Sequence, residues 1–386
     1  MKVVFISQRL ENNVCSKIHL KAFEKIVSKE DLLILDLNPN EKARIEENHV
    51  FMGKFSIIEK VEWALQQTTW FLTNKRINEI CGYINNFKAE VVFIDDSCLG
   101  KIAKKIKEKK IDVKVITFYH DIISDLYPQL NKADDFKFKV LMYHAAIKGE
   151  ILSKKFSDKN LVLNERDARL FQNLYKKNPD ELLPMAVAAP DLFDLHAAEF
   201  DFDAIKKQNK KIILFVGAYY KPNIEGLKWF VDNVFKFLSD NYLLLVVGRK
   251  LEMLCEDYTG ESNILILGGV EKLAPFYNNA DVVVAPIFSG GGMKQKTAEA
   301  FAYGKTFIGT TESMQGYENT LKIVENDHNI VFSGDSPEEQ IQAFEYIEKN
   351  QIYGFHEVLN NTFKENYSIE AIENRLCSII GIEKRG

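Results

Sequence analysis

Residues 281–304 read DVVVAPIFSGGGMKQKTAEAFAYG. The run from Asp281 to Ala285 is apolar and β-branched, the pattern of a buried strand, and Pro286 closes it. Ser289 to Gly292 is a small, glycine-rich turn. From Lys294 the composition changes to Gln, Lys, Ala and Glu, which are good helix formers, and Gly304 sits where a helix C-terminal glycine belongs. Strand, glycine turn and helix N-terminus in this order make an anion site. The glycines let a phosphate approach the backbone, and the first helical turn offers N–H groups without internal partners. Lys294 and Lys296 add positive charge there. A charge-assisted contact to phosphate contributes roughly 1.5–3 kcal/mol, and the helix terminus about 0.3–2 kcal/mol more. Glu299, one turn further in, lies too deep for the helix dipole alone to explain it, and its carboxylate suits a ribose diol. A tight turn with two solvated lysines and a surface glutamate would carry the same residues, so the glycines alone leave both readings open.

The flanking sequence continues the βα pattern. Residues 210–235, KKIILFVGAYYKPNIEGLKWFVDNVF, predict a strand, a turn at Gly217 and an amphipathic helix with Leu227, Phe230 and Val234 on one face and Asn223 as its N-cap. YLLLVVGRK (242–250) predicts a strand ending at Gly248 and Arg249, the arginine a candidate phosphate ligand, and ILILGGV (264–270) a further strand. In the first half, strands are predicted at 2–7, 32–37, 90–95 and 113–118. A long helix follows at 136–157 and a strand–turn–helix at 160–175. Strands alternating with helices predict an α/β fold, and ligands in such sheets sit beyond the carboxyl ends of the strands. That rule brings forward the loop 8–17 with Asn13 and Ser16, the strand-end pair His120 and Asp121, and Glu165 with Arg166. Asp121 also reads as a helix N-cap before IISDLY, and Asn164 with Asp167 as a capping box. LLPMAVAAPDLF (182–193), with two prolines and no helical period, reads as a linker. Ser336 and Glu339 make a second capping box, and 366–382 reads as a terminal amphipathic helix.

Composition bounds the rest. A length of 386 residues suggests two domains, and 46% hydrophobic residues fill two cores. No apolar run reaches the roughly 18 residues of a membrane span, and MKVVFISQRL reads as a strand rather than a secretory leader. The five cysteines are scattered without a CxxC, as expected of reduced cytosolic thiols. The net charge of −5 hides a mildly basic N-terminal half and an acidic remainder. A pI near 5.9 argues against nucleic acid as a partner. GKIAKKIKEKKIDVK (100–114) sets Ile102, Ile106 and Ile111 against a lysine-rich face: a solvated surface helix, or a basic amphipathic helix on an anionic membrane surface. Phe51, Phe55, Trp63 and Trp70 are core residues or contacts for an acceptor or lipid. No Asp-x-Asp motif stands at a strand end with the context of a metal site, so lysine counter-charge and metal independence are expected. No GxGxxG follows the first strand, which argues against a dinucleotide oxidoreductase.

GGGMKQKTAEAFAYGKTFIGT closely resembles the donor-binding segment of the retaining glycosyltransferases of family four, whose pattern is glycines, a helix carrying Glu-Ala-x-Ala-x-Gly-Lys, and a strand. The resemblance extends over nearly the whole chain and is strongest at 210–235 and 281–310. It implies the GT-B architecture, two Rossmann-like domains facing each other across a cleft. Residues 1–185 would bind the acceptor, 195–365 the nucleotide sugar, and the C-terminal helix, 366–386, would pack back on the first domain. It implies transfer of a sugar, with retention, from a nucleoside-diphosphate sugar to a hydroxyl of a glycan or lipid-linked acceptor, without a further cofactor. The setting implied is polysaccharide biosynthesis in the cytoplasm, with peripheral membrane contact. Gly217, Arg249, Gly291, Gly292, Met293, Lys294 and Lys296 would surround the donor diphosphate and Glu299 would hold its ribose. His120 would lie near the transferred sugar as the catalytic residue, with Asn13, Ser16, Asp121, Glu165 and Arg166 toward the acceptor or cleft. The sequence departs from the pattern in four places. Gly291 stands eight residues before Glu299, where the family often has a second glutamate, which follows a GGGxKxK branch. Asn12, Asn13 and Ser16 stand where many members have a glycine pair. Asn164 replaces the serine of Ser-Glu-Arg-Asp, and Lys221 is the only basic residue in the loop that usually carries an arginine and a lysine. A nucleotide-sugar epimerase of the same architecture and a non-catalytic nucleotide-sugar-binding partner subunit are the alternatives.

Overall fold

The computed structural model describes residues 1–386 apart from Arg9, Asn12, Pro39, Phe55, 67–71, 126–135, 198–199 and 384–386, and describes only the backbone of Lys60, 63–66 and 136–142. The chain forms two units, Met1–Met185 with Ile369–Gly386, and Ala186–Ser368.

The first unit runs β1 (Val3–Ser7), α1 (Val14–Ile26), β2 (Leu32–Asp36), β3 (Arg44–Glu46), β4 (His49–Phe51), α2 (Ile57–Gln66), α3 (Asn74–Phe87), β5 (Val91–Ile94), α4 (Gly100–Glu108), β6 (Lys114–Tyr119), α5 (Phe136–Phe156), β7 (Lys159–Val162), α6 (Glu165–Tyr175) and β8 (Glu181–Leu182). The strands make one sheet in the order β3-β4-β2-β1-β5-β6-β7-β8, parallel except for the β3–β4 pair. Val3–Ile6 and Val92–Ile94 are fully buried. This is why β1 and β5 are continuous apolar runs: a parallel sheet covered on both faces has no solvent side to alternate toward. Register Val4↔Leu33 and Val4↔Val92 aligns the strand ends, so that Ser7, Asp36 and Asp95 finish at one edge.

The isoleucines of α4 turn inward. Ile102, Ala103 and Ile106 are fully buried in the first unit's core, while Lys104 and Lys105 pair with Glu108, and Lys107 with Asp158 at 2.7 Å. The apolar stripe is thus consumed by packing, and the membrane reading of this helix is withdrawn. Phe51 stacks on His49 and lies under the Arg44 guanidinium. Phe55, Trp70 and the Trp63 side chain lie outside the described residues. Among the described residues no helix is long and apolar enough to cross a membrane.

The second unit runs α7 (Phe202–Lys206), β9 (Lys211–Val216), α8 (Lys221–Asn233), β10 (Tyr242–Val247), β11 (Ile264–Gly268), α9 (Ala274–Asn279), β12 (Val282–Ala285), α10 (Gln295–Ala302), β13 (Thr306–Gly309), the short pair β14 (Val324–Glu325) and β15 (His328–Asn329), β16 (Val331–Ser333), α11 (Pro337–Asn350) and α12 (Glu357–Asn366). Its main sheet is wholly parallel, in the order β11-β10-β9-β12-β13-β16. The order reverses between β9 and β12, and a crevice opens beyond the strand ends at such a switch point. Gly226 lets α8 lie directly on the chain after β12: a Cβ there would stand 1.8 Å from the Pro286 carbonyl oxygen.

One predicted cap is placed differently. Tyr220, not Asn223, is the N-cap of α8, because Pro222 is at home in a first helical turn and the helix starts before it. Asn223 instead donates its amide to Ala218 O at 2.9 Å and folds the preceding loop back. The backbone N–H groups of Ile123 and Ser124, after Asp121, are taken by the buried carboxylate of Glu150 at 2.7 and 3.2 Å. Asn164 caps α6 and Ser336 with Glu339 caps α11, as read from the sequence. The chain ends in α13 (Ile369–Ile380), which returns to the first unit and packs on α1, with Lys25 and Glu373 paired at 2.8 Å.

Candidate functional site

In the second unit, the ends of β9, β10 and β11 and the start of α10 line a cavity of about 590 Å³. Gly217, Arg249, Met293, Lys294, Lys296 and Glu299 line it together with Asn223, Gly248 and Gly269. The turn after β12 needs its glycines, since Gly290 has φ +123° and Gly292 φ +66°. At the neighbouring strand end Gly248 makes close approach possible, because a Cβ there would fall 1.4 Å from Gly217 O. Among the described residues, the N–H groups of Gly291, Gly292 and Met293 make no hydrogen bond, and α10 has no side-chain N-cap. Oriented donors without an internal partner at a helix N-terminus are what an anion requires. The Met293 side chain is buried against Gly316 and anchors the turn from behind.

The two lysines are held differently. Lys294 Nζ donates to Gly292 O at 3.0 Å and Gly291 O at 3.4 Å and pairs with Glu312 at 2.7 Å. Lys296 Nζ donates to Asn223 Oδ1 at 2.8 Å and lies 4.6 Å over the Phe215 ring. Burial brings Lys296 down to about 7, with Glu299 opposing and Lys294 adding to the effect. Glu299 is raised above the usual carboxylate range by burial, although Tyr277 Oη and Gln295 Nε2 each donate to it at 2.8 Å. Tyr277 is itself buried and stacked on Tyr303. Both carboxylate oxygens of Glu299 are therefore fixed while each keeps a lone pair for a further donor. Arg249 is exposed at the end of β10 with no ion pair among the described residues.

In the first unit, a buried polar cluster stands at the ends of β1, β5 and β6. His120 Nε2 lies 3.3 Å from Ser16 Oγ, 3.0 Å from Asp95 O and 3.4 Å from Asp95 Oδ2. Asp95 Oδ1 holds His19 Nδ1 at 2.8 Å, and Cys15 Sγ lies 3.5 Å from the other ring nitrogen. Burial works against charge on His19, but Cys15 and Asp95 outweigh it and push the imidazole up to about 9. Burial likewise opposes the Asp95 carboxylate, yet His120 and His19 hold it well below its ordinary range. Asn13 spends its side chain as the N-cap of α1, accepting from Ser16 N at 3.0 Å. Asp121 is half-buried next to His120. Glu165 and Arg166 do not share one environment. Glu165 borders a separate hollow of about 400 Å³ with Arg169 and Asp180, while Arg166 stands 4.0 Å from Asp125.

Sequence reasoning missed His19, Asn223 as a lysine partner, Tyr277 and Glu312. For His19 a signal existed: it shares the inward stripe of α1 with Cys15, Ile18, Ala22 and Phe23, and a buried histidine on such a stripe needs a polar partner.

Two parallel sheets, with a glycine turn leading into a helix N-terminus in the second, define an α/β protein of two Rossmann-like units. Residues 210–350 match the family described as glycosyl transferases group 1. That match lies wholly within the second unit, and over its whole length the chain shares the two-sheet α/β fold of the solved structures below. At the level of whole sequences no curated protein matches it. Among solved structures it is similar to Alr3699/HepE from Anabaena, solved in complex with UDP, with a TM-score of 0.69, 9% identity and coverage of 99% of this chain and 100% of that one. A glycosyltransferase from Rickettsia africae ESF-5 matches with a TM-score of 0.67, 14% identity and coverage of 98% and 97%. An alpha,alpha-trehalose-phosphate synthase (UDP-forming) from Burkholderia xenovorans matches with a TM-score of 0.62, 11% identity and coverage of 99% and 100%.

Proposed function

We propose that the second unit binds a nucleoside-diphosphate sugar and that the chain moves the sugar, with retention, to a hydroxyl of a glycan or lipid-linked acceptor. The observation that carries the reading is the unspent N–H group of Met293 in one cavity with Lys294, Lys296, Arg249 and Glu299, with the unspent N–H groups of Gly291 and Gly292 in the turn that leads into it rather than in its lining. The diphosphate would lie on the N–H groups and lysines, and the pentose diol on Glu299, whose orientation Tyr277 and Gln295 fix in advance. In transfer, the bond between the anomeric carbon and the phosphate oxygen breaks and negative charge grows on the diphosphate. Fixed donors aimed at developing charge lower the barrier. The acceptor oxygen forms the new bond on the same face and passes its proton to the leaving phosphate. His120, held by Ser16 and Asp95, positions the sugar in this reading. That UDP and UDP-glucose occupy a protein of the same fold supports a nucleotide-sugar donor.

The test is a thermal-shift panel of UDP, GDP, ADP and dTDP sugars, followed by product analysis. A ligand at 100 times its dissociation constant stabilises the site by about 2.7 kcal/mol. Transfer to an acceptor with the anomeric configuration kept, at undiminished rate in EDTA, is expected. A donor altered in the absence of acceptor would instead make the protein an epimerase. Binding without turnover across acceptors would make it a nucleotide-sugar-binding subunit.

A further inference from the structure

Lys294 is the lysine nearest the glycine turn, yet its ammonium is already committed. Its three N–H donors meet three acceptors within the chain: Gly291 O, Gly292 O and Glu312 Oε1. The ion pair is largely withdrawn from water, with the Lys294 side chain 13% exposed and that of Glu312 16%. Glu312 is held in place from behind. Gln315 Nε2 donates to its other oxygen at 2.6 Å, and the surrounding turn is pinned by Thr310 and Ser313 and by Thr311 N donating to Asp335 at 2.8 Å. Lys294 lines the cavity and Glu312 does not, so the carboxylate approaches the ammonium from the protein side and a ligand approaches from the open side.

We propose that Glu312 is a resident counter-anion for Lys294 that a diphosphate must displace or share, so that occupancy of the site is an exchange of one anion for another. The inference rests on the reading of this cavity as the donor diphosphate site. A phosphate on Lys294 would stand beside a carboxylate on the same ammonium, and like charges at that range repel. The repulsion grows with ligand charge. Glu312 therefore opposes the leaving nucleoside diphosphate, with its extra negative charge, more than the diester donor. Its consequence in turnover is release of product: the carboxylate returns to Lys294 as the diphosphate departs.

The test uses the full chain and two probes, inorganic pyrophosphate and UDP, titrated calorimetrically. Glu312→Gln keeps the shape and the amide neighbour and removes the charge. It is expected to bind both probes roughly fivefold or more tighter, the range in which loss of one close charge contact is felt. The gain should vanish in a Lys294→Gln background, since the two residues act as one unit. In a turnover assay Glu312→Gln should show stronger inhibition by the product diphosphate. Gln315→Met, which frees the carboxylate without removing it, gives a second route and should tighten binding by a smaller factor. Wild-type binding with unchanged or weaker affinity in Glu312→Gln overturns the exchange and leaves the donor site standing. No binding of either probe by wild type or by Glu312→Gln overturns both.

Discussion

Lys296 carries the most informative charge in the chain. With Phe215 beneath it, Asn223 as its hydrogen-bond partner and Lys294 and Glu299 as its charged neighbours, burial has brought it down to about 7. A bound diphosphate favours the ammonium and raises that value, so binding above neutral pH takes up a proton. Affinity for UDP is expected to be nearly flat below pH 7 and to fall as pH rises through 7 to 9, by at most about tenfold per unit. Calorimetry in buffers of different ionisation enthalpy checks the proton count, and Lys296→Met should weaken binding and flatten the profile. For folding the sign is opposite to that of a lysine gaining a partner. The unfolded chain holds the proton up to its higher value, so the penalty is full below about pH 7 and disappears toward the unfolded lysine range. Asp95 poses the converse case. Its carboxylate is shared between His19 and His120, and removing its charge strands a buried imidazolium. Asp95→Asn is expected to cost roughly 3–5 kcal/mol near neutral pH. His19 is raised, so its contribution is whole below its unfolded value and lost as pH rises through about 9. The contribution of Asp95, depressed, is lost on the acid side as pH falls through its folded value. Denaturant midpoints of wild type and variant between pH 6 and 10 should converge at the alkaline end.

At the scale of elements, the unit from β12 to α10 was legible because each of its parts is local. A β-branched run, a proline stop, a glycine turn with left-handed residues and a helix of good formers are all encoded within 24 residues. The long helix α5, the caps of α6 and α11 and the parallel strands of both sheets were legible for the same reason. What the sequence hid is the closure of side chains across distance. Lys294 meets Glu312 across 18 positions, Glu299 meets Tyr277 across 22, and His19 meets Asp95 across 76. Asn223 was misread as a cap because a lone asparagine near a helix start is ambiguous until the fold shows which neighbours its amide reaches. The amphipathic period of α4 was read correctly, but period alone does not say whether the apolar face meets a core or a lipid. The packing of α8 on the chain after β12 supplies a test at this scale. Gly226→Ala would press a methyl into the Pro286 carbonyl, so the helix must lift from the segment leading into the glycine turn. The expected cost is roughly 1–3 kcal/mol, read as a lowered unfolding midpoint of the second unit together with weaker UDP binding.

For the molecule as a whole, the decisive feature is the route of the chain. After Ser368 it leaves the second unit and completes the first with α13. Ile372, Leu376 and Ile379 are buried there, Glu373 pairs with Lys25 of α1, and Lys114 at the start of β6 donates to Ile379 O at 2.9 Å. The first unit thus closes only after the second has been synthesised, and its stability depends on the last residues of the sequence. Truncation after Ser368 would expose the buried apolar face of α13's partner helix and remove three or more fully buried aliphatic side chains, each contributing about 1.5–3 kcal/mol. The loss is comparable to the entire stability of an ordinary domain. The second unit, by contrast, keeps its sheet, its glycine turn and its lysines. The truncated chain should therefore show early unfolding of the first unit, seen as loss of protection in hydrogen exchange across α1 and β6, while the α10 region retains protection and still responds to UDP. Equal loss of protection in both units would mean that the fold is one cooperative block rather than two units sharing a chain end.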